Sequence, residues 1–198
     1  MVAVITGDII NSRNASPGEW LPLLKDLLSQ YGNEPKDWEI FRGDSFQLVL
    51  NPLMALKAAV HIKAGIKQIK NLDVRIGIGI GTEDFSAAKV SESNGEAYIR
   101  SGECFESLKK QNLAVNTQTD MDEALNLMLS LALLNMNSWS ATVSAAIKIT
   151  LENSDKNQAE IAELLERSQS SVSEALSRGG FEEVMQMISF FEKEVRKL

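Results

Sequence analysis

No strand signal follows residue 118 of this 198-residue chain. Before that point, short runs rich in Val, Ile and Phe alternate with helical patterns. After it, residues 120–136, 138–153, 157–166, 169–178 and 181–197 all read as helices. Such a switch divides the chain into an α+β part, 1–118, and an all-α part, 119–198. No Gly/Ser- or Pro-rich stretch separates the two, so they are expected to pack together.

Within the first part, Val2, Val4 and Ile5 begin a strand that Gly7 and Asp8 are expected to end. Ser16 is placed to cap a helix from Pro17 to Tyr31, with Leu21, Leu24, Leu27 and Leu28 on one face. "WEIF" (38–41) and "FQLVL" (46–50) read as strands joined through "RGDS". Gly43-Asp44 between them suits a two-residue type II′ hairpin. A second helix runs from about Leu53 to Lys70, and Val74 to Ile80 forms the strand "VRIGIGIG", whose glycines let another backbone come close. Residues 82–96 read as a loop, 97–110 as a helix and 113–118 as a last strand. The order β-α-β-β-α-β-α-β is ferredoxin-like with an added unit, implying an antiparallel sheet with helices on one face.

Composition narrows the function. The formal net charge is −7, which argues against bulk electrostatic binding to nucleic acid or to an anionic membrane. One cysteine, Cys104, excludes an intrachain disulfide framework and a Cys-based zinc site, and one histidine, His61, excludes His-based metal sites. Cys104 reads as a buried small hydrophobe and His61 as a packing or surface residue. "MVAVITGDII" lacks the basic start of a signal peptide, and the longest apolar run, 125–136, is too short to span a bilayer and reads as a buried helix. A cytoplasmic protein without a membrane partner is expected.

Two carboxylates stand out. Asp8 and Asp44 fall at ends of strands that should be neighbours, where two oxygens can share Mg²⁺ or Mn²⁺. A helix following "GDIINSR" would offer its N-terminal N–H groups to a phosphate. The alternative is that Gly43-Asp44 is only a turn and Asp8 only a cap. The segments "GDIINSR", "IFRGDSFQLVL", "VRIGIGIG" and "NGEAYIRSGECFESL" resemble, in order and spacing, the class III nucleotidyl cyclase catalytic domain over residues 1–117. That resemblance implies metal ligation by Asp8 and Asp44, with the Ile9 carbonyl as a further contact. It also exposes departures. The position of the family's purine-selecting Lys holds Ile40, and those of its transition-state Asn and Arg hold Ile99 and Glu103. Arg100 follows Ile99 but points about 100° away on a helix. Losing an electrostatic stabiliser of this kind costs about 10²–10³ in rate. Cyclase activity is therefore not expected, and no catalytic residue is assigned.

The second constellation is "NQAEIAELLERSQSSVSEALSRGG" (157–180). Asn157 caps a helix with Ile161, Leu164 and Leu165 inward and the small Ala162 at a crossing. "ERS" turns the chain, Ser168 caps the next helix, Val172 and Leu176 are its buried side, and Gly179-Gly180 end it. This resembles the helix-turn-helix of phage repressors and related bacterial regulators, with Glu166 where the turn usually has Gly. The resemblance places Gln169, Ser170, Ser171, Ser173 and Glu174 outward on a recognition helix, with Arg178, Arg167 and Lys156 as the nearby cations. Gln can pair with adenine in the major groove, and Ser can reach bases or phosphates. Against this, residues 154–198 carry nine acidic and six basic residues, whereas DNA binding draws on phosphate neutralisation.

The whole chain resembles the SatD family of bacterial proteins, described as regulators without an established activity. Three functions follow. The first is a DNA-binding transcriptional regulator, homodimeric, whose degenerate cyclase-like domain senses a nucleotide ligand or dimerises. The second is a metal-dependent nucleotidyl-transfer or hydrolysis enzyme using Asp8 and Asp44. The third is a protein-interaction module.

Overall fold

The computed structural model describes residues 1–109 and 111–198. It is an α+β protein with one five-stranded mixed sheet. The elements are β1 (Val2–Ile10), α1 (Pro17–Ser29), β2 (Trp38–Phe41), β3 (Ser45–Leu50), α2 (Ala55–Ile66), β4 (Asp73–Gly81), α3 (Glu96–Ser107), β5 (Leu113–Asn116), α4 (Met121–Met136), α5 (Ala141–Glu152), α6 (Gln158–Leu164), α7 (Gln169–Arg178) and α8 (Phe181–Val195). The expected end of the third helix at Lys110 lies outside the described residues.

The strand order is β2-β3-β1-β4-β5. β1, β3, β2 and β4 pair antiparallel, but β5 joins β4 in parallel, with Ile76 opposite Leu113 and Gly79 opposite Asn116. The sheet is thus mixed, not wholly antiparallel, because the β4-α3-β5 segment is a crossover rather than a hairpin. Helices also cover both faces. Ala3, Ile5, Ile9, Ile76, Ile78 and Ile80 belong to the main core with α1 and α2. Their alternates on β4, Gly77, Gly79 and Gly81, face α3: a Cβ on Gly77 would lie 2.5 Å from the Phe105 backbone nitrogen. The glycine strand is a seat for α3, the close backbone approach that its sequence implied.

Two further expectations fail at the sheet's end. Gly7 and Asp8 do not terminate β1; the strand continues to Ile10, with Asp8 opposite both Ser45 and Arg75. Gly7 is instead a packing residue, since a Cβ there would meet the Phe46 ring at 2.5 Å. The hairpin is a three-residue loop, since Phe41 pairs with Ser45, and Arg42 and Gly43 have φ of 53° and 96°. Asp44 is its last residue.

The two halves share one continuous core, and polar contacts tie them together. His61 on α2, 1% exposed, bonds the Tyr31 hydroxyl through Nδ1 at 2.9 Å and the Glu152 carboxylate of α5 through Nε2 at 2.9 Å. Burial alone would raise the Glu152 carboxyl, but bonds from His61, Lys148 and Gln30 outweigh it and hold it at about 2. Lys63, 1% exposed, donates to Asp73 at 2.6 Å and to the Asn137 side chain at 2.9 Å. Burial lowers its ammonium to about 8 although Asp73 opposes the shift.

α4 is less buried than its composition implies. Leu125, Leu129, Leu133 and Met136 enter the core, while Leu127, Leu131 and Leu134 are exposed. No helix is long and apolar enough to cross a membrane among the described residues.

Candidate functional sites

The first candidate site forms where β1, β3 and β4 end together. Register alone brings Asp8 beside Ser45 and Arg75, and Asp44 precedes Ser45. The Ile9 N–H donates to the Asp44 carbonyl at 3.2 Å, which fixes the loop against β1. Asp8 and Asp44 line one open cleft of about 540 Å³, with Ile9, Ser12, Arg13, Arg75 and Lys109 among its other walls.

Both carboxylates are engaged. Arg75 donates from Nε to Asp8 Oδ1 at 3.1 Å and from Nη2 to Asp8 Oδ2. The hydrogen bond to Asp8 raises the already high Arg75 pKa further. The Arg75 guanidinium also lies over the Phe105 ring, 4.7 Å from its centroid. Asp44 accepts a 2.5 Å bond from the Ser12 hydroxyl. A cation in this cleft would share Asp8 with Arg75 and Asp44 with Ser12. Among the described residues the lining carries three basic side chains against two acidic ones, a balance that suits an anionic ligand.

The phosphate-binding helix start is absent at that position. Asn11 adopts φ 63°, and Ser12–Asn14 make a single 3₁₀ turn before α1 opens with Pro17. Arg75, Ser12, Arg13 and Lys109 were not foreseen. Arg75 had a readable signal, as the one basic residue of a Gly/Ile strand, on the same face as its glycines. Ile99 is exposed on α3, as is Glu103, and Ile40 packs at the core margin from β2. Cys104 is buried, and burial raises its thiol to about 11.

The second candidate site is the α6–α7 pair. Asn157 forms a capping box with Glu160, and the Ser168 hydroxyl accepts from the Ser171 N–H at 3.3 Å. Ile161 and Ala162 are buried, but Leu164 is 52% exposed rather than inward. Leu165, four residues after Ile161, follows the buried side instead and is half-buried, while Leu164 turns outward. Val172, Ala175 and Leu176 form the buried side of α7. Gln169, Ser170, Ser173, Glu174 and Arg178 are exposed, whereas Ser171 is half-buried. Glu174 and Arg178 face each other at 3.6 Å across one helical turn. Glu166 has φ 52°, a left-handed conformation that glycine adopts at less cost.

Comparison with protein families, curated proteins and solved structures returned no significant match.

Proposed function

We propose that the protein is a DNA-binding regulator in which α6 and α7 act as a helix-turn-helix and α7 enters a major groove. The observation that carries this reading is the division of α7 into two sides. Val172, Ala175 and Leu176 are buried, and an exposed row of Gln169, Ser170, Ser173, Glu174 and Arg178 has no large apolar residue in it. The left-handed Glu166 supports it, since the repressor turn commonly carries Gly at that place. The strand order of the α+β half fits a ferredoxin-like, cyclase-related sensor domain, and the whole fits the SatD family. Selection of genomic fragments by the full chain at low salt tests the proposal. Enrichment of one sequence is expected; a flat selection by folded protein removes DNA from the function and leaves an interaction module.

A second reading rests on the shared cleft of Asp8 and Asp44. There the two carboxylates would hold Mg²⁺ or Mn²⁺, while Arg13, Arg75 and Lys109 face the phosphates of a nucleotide. Bound metal would supply charge neutralisation at those phosphates. Retention of labelled ATP with Mn²⁺, lost in Asp44→Asn, is the result that this reading requires.

A further inference from the structure

α4 carries two rows of leucine. One enters the core; the other, Leu127, Leu131 and Leu134, is 62%, 61% and 78% exposed. Spaced four and three residues apart, these three form one stripe along the helix. From Ala124 to Met136 the helix has no charged residue at all. Beside the stripe lies an open groove of about 800 Å³ between α4 and α8, lined by Met128, Ala132, Val184, Met187 and the half-exposed Phe190, with Glu183 its sole charged lining residue among the described residues.

We propose that this face is the contact between two copies of the chain, with the leucine stripe of each copy seated in the α4–α8 groove of the other about a twofold axis. A twofold contact needs protrusion and recess on one surface. Leu131 belongs to both stripe and groove lining, so the two are continuous. The self-complementary stripe and groove point to a second copy, and charge places such a contact on this face rather than elsewhere on the surface. A chain of net charge −7 repels itself, and burying like charges between copies is costly. Here a copy meets uncharged surface, and the lone Glu183 gives a basic partner little to steer toward.

Size sets the strength. The twelve residues that line the groove, with Leu127 and Leu134, are fourteen in all. A standard interface uses roughly 20–30 residues a side. A contact of that size suits a dimer that dissociates on dilution. The groove also takes in Ser177 and Gly179 from the end of α7, so the contact sets the two α7 helices near one axis. The proposal goes beyond the regulatory reading by placing the contact in the helical half, and it does not depend on DNA.

Sedimentation equilibrium of the full chain across the micromolar range, without DNA, tests it. The wild type is expected to show a reversible monomer–dimer equilibrium. Leu131→Glu should raise the dissociation constant by at least about 30-fold, the loss of one hot-spot residue, and Leu131→Met should change it little. Leu134→Glu, at the most exposed of the three positions, repeats the test if Leu131→Glu melts early. A wild type that stays monomeric, or a dimer that both Glu variants leave intact, overturns the proposal. A flat DNA selection with the dimer unaffected leaves it standing.

Discussion

Arg75 holds Asp8 by both carboxylate oxygens from the neighbouring strand, and Phe105 lies beneath its guanidinium. Arginine thus occupies the oxygens that a cation would need. If the cleft takes a metal, removing Arg75 should help it. About 1 mM Mn²⁺ should raise the melting temperature of Arg75→Gln more than that of the wild type, by mass action on the folded state. Asp44→Asn should remove the rise in both backgrounds. Equal shifts in all four proteins would show that Asp44 is a loop residue only.

Cyclic nucleotide synthesis should be absent. Ile99 and Glu103 stand where the cyclases that residues 1–117 resemble carry a transition-state Asn and Arg. Purified protein with ATP or GTP and Mn²⁺ should form no cAMP or cGMP above a blank. Formation that disappears in Asp8→Ala would reverse this conclusion.

Glu166 should prefer to be glycine. Its left-handed backbone costs a side-chain-bearing residue about 1–2 kcal/mol, and glycine's looser unfolded chain returns about half of that. Glu166→Gly is expected to stabilise the protein by about 0.5–1 kcal/mol in urea titration. Glu174→Gly, on the exposed middle of α7, should destabilise it by about 1 kcal/mol. Matching signs for the two substitutions would mean that the turn is not strained.

DNA affinity should be limited by acid on the reading helix. Gln169→Ala should cost about 1–3 kcal/mol on a selected site and little on random DNA. Arg178→Ala should weaken both and lower the salt slope by about one unit. Glu174→Lys should strengthen non-specific binding, because it removes the partner that holds Arg178 and replaces repulsion of phosphates by attraction. Fluorescence anisotropy at several salt concentrations separates these effects. A silent Gln169→Ala on the selected site would sink the groove assignment.

Acid should loosen the contact between the halves. The Glu152 carboxyl is held at about 2 against an ordinary 4.5. On lowering the pH, the unfolded chain takes up this proton near 4.5, the folded chain only near 2. The stabilisation is therefore complete above 4.5, shrinks as pH falls and is gone below about 2. Wild type should be more stable than Glu152→Gln at neutral pH, and the gap in melting temperature should close through that window. A constant gap would assign Glu152 a packing role alone.

Local signals in the sequence carried most of the fold. Pro17, Asn157, Ser168 and Gly179-Gly180 mark helix ends by what their backbones and side chains can bond, and each lies where such punctuation belongs. What escaped was set by distant partners. Gly7 looks like a strand end until Phe46 is known to lie over it. Asp8 looks like a free ligand until register delivers Arg75. His61 and Lys63 read as ordinary helix residues because their partners Glu152 and Asn137 lie 91 and 74 positions away. The α4 leucines look uniformly buried because composition does not say which side of a helix the protein covers. The candidate cleft was thus legible in its acids and not in its bases.

The His61–Glu152 and Lys63–Asn137 bonds have a mechanical meaning. Both begin on one turn of α2, and they end at the far end of α5 and just beyond α4. Two anchors on one rod remove the freedom to pivot that a single anchor would leave. Lys63 also donates to Asp73 at the start of β4, so the same turn of α2 joins the sheet to both anchors in the helical half.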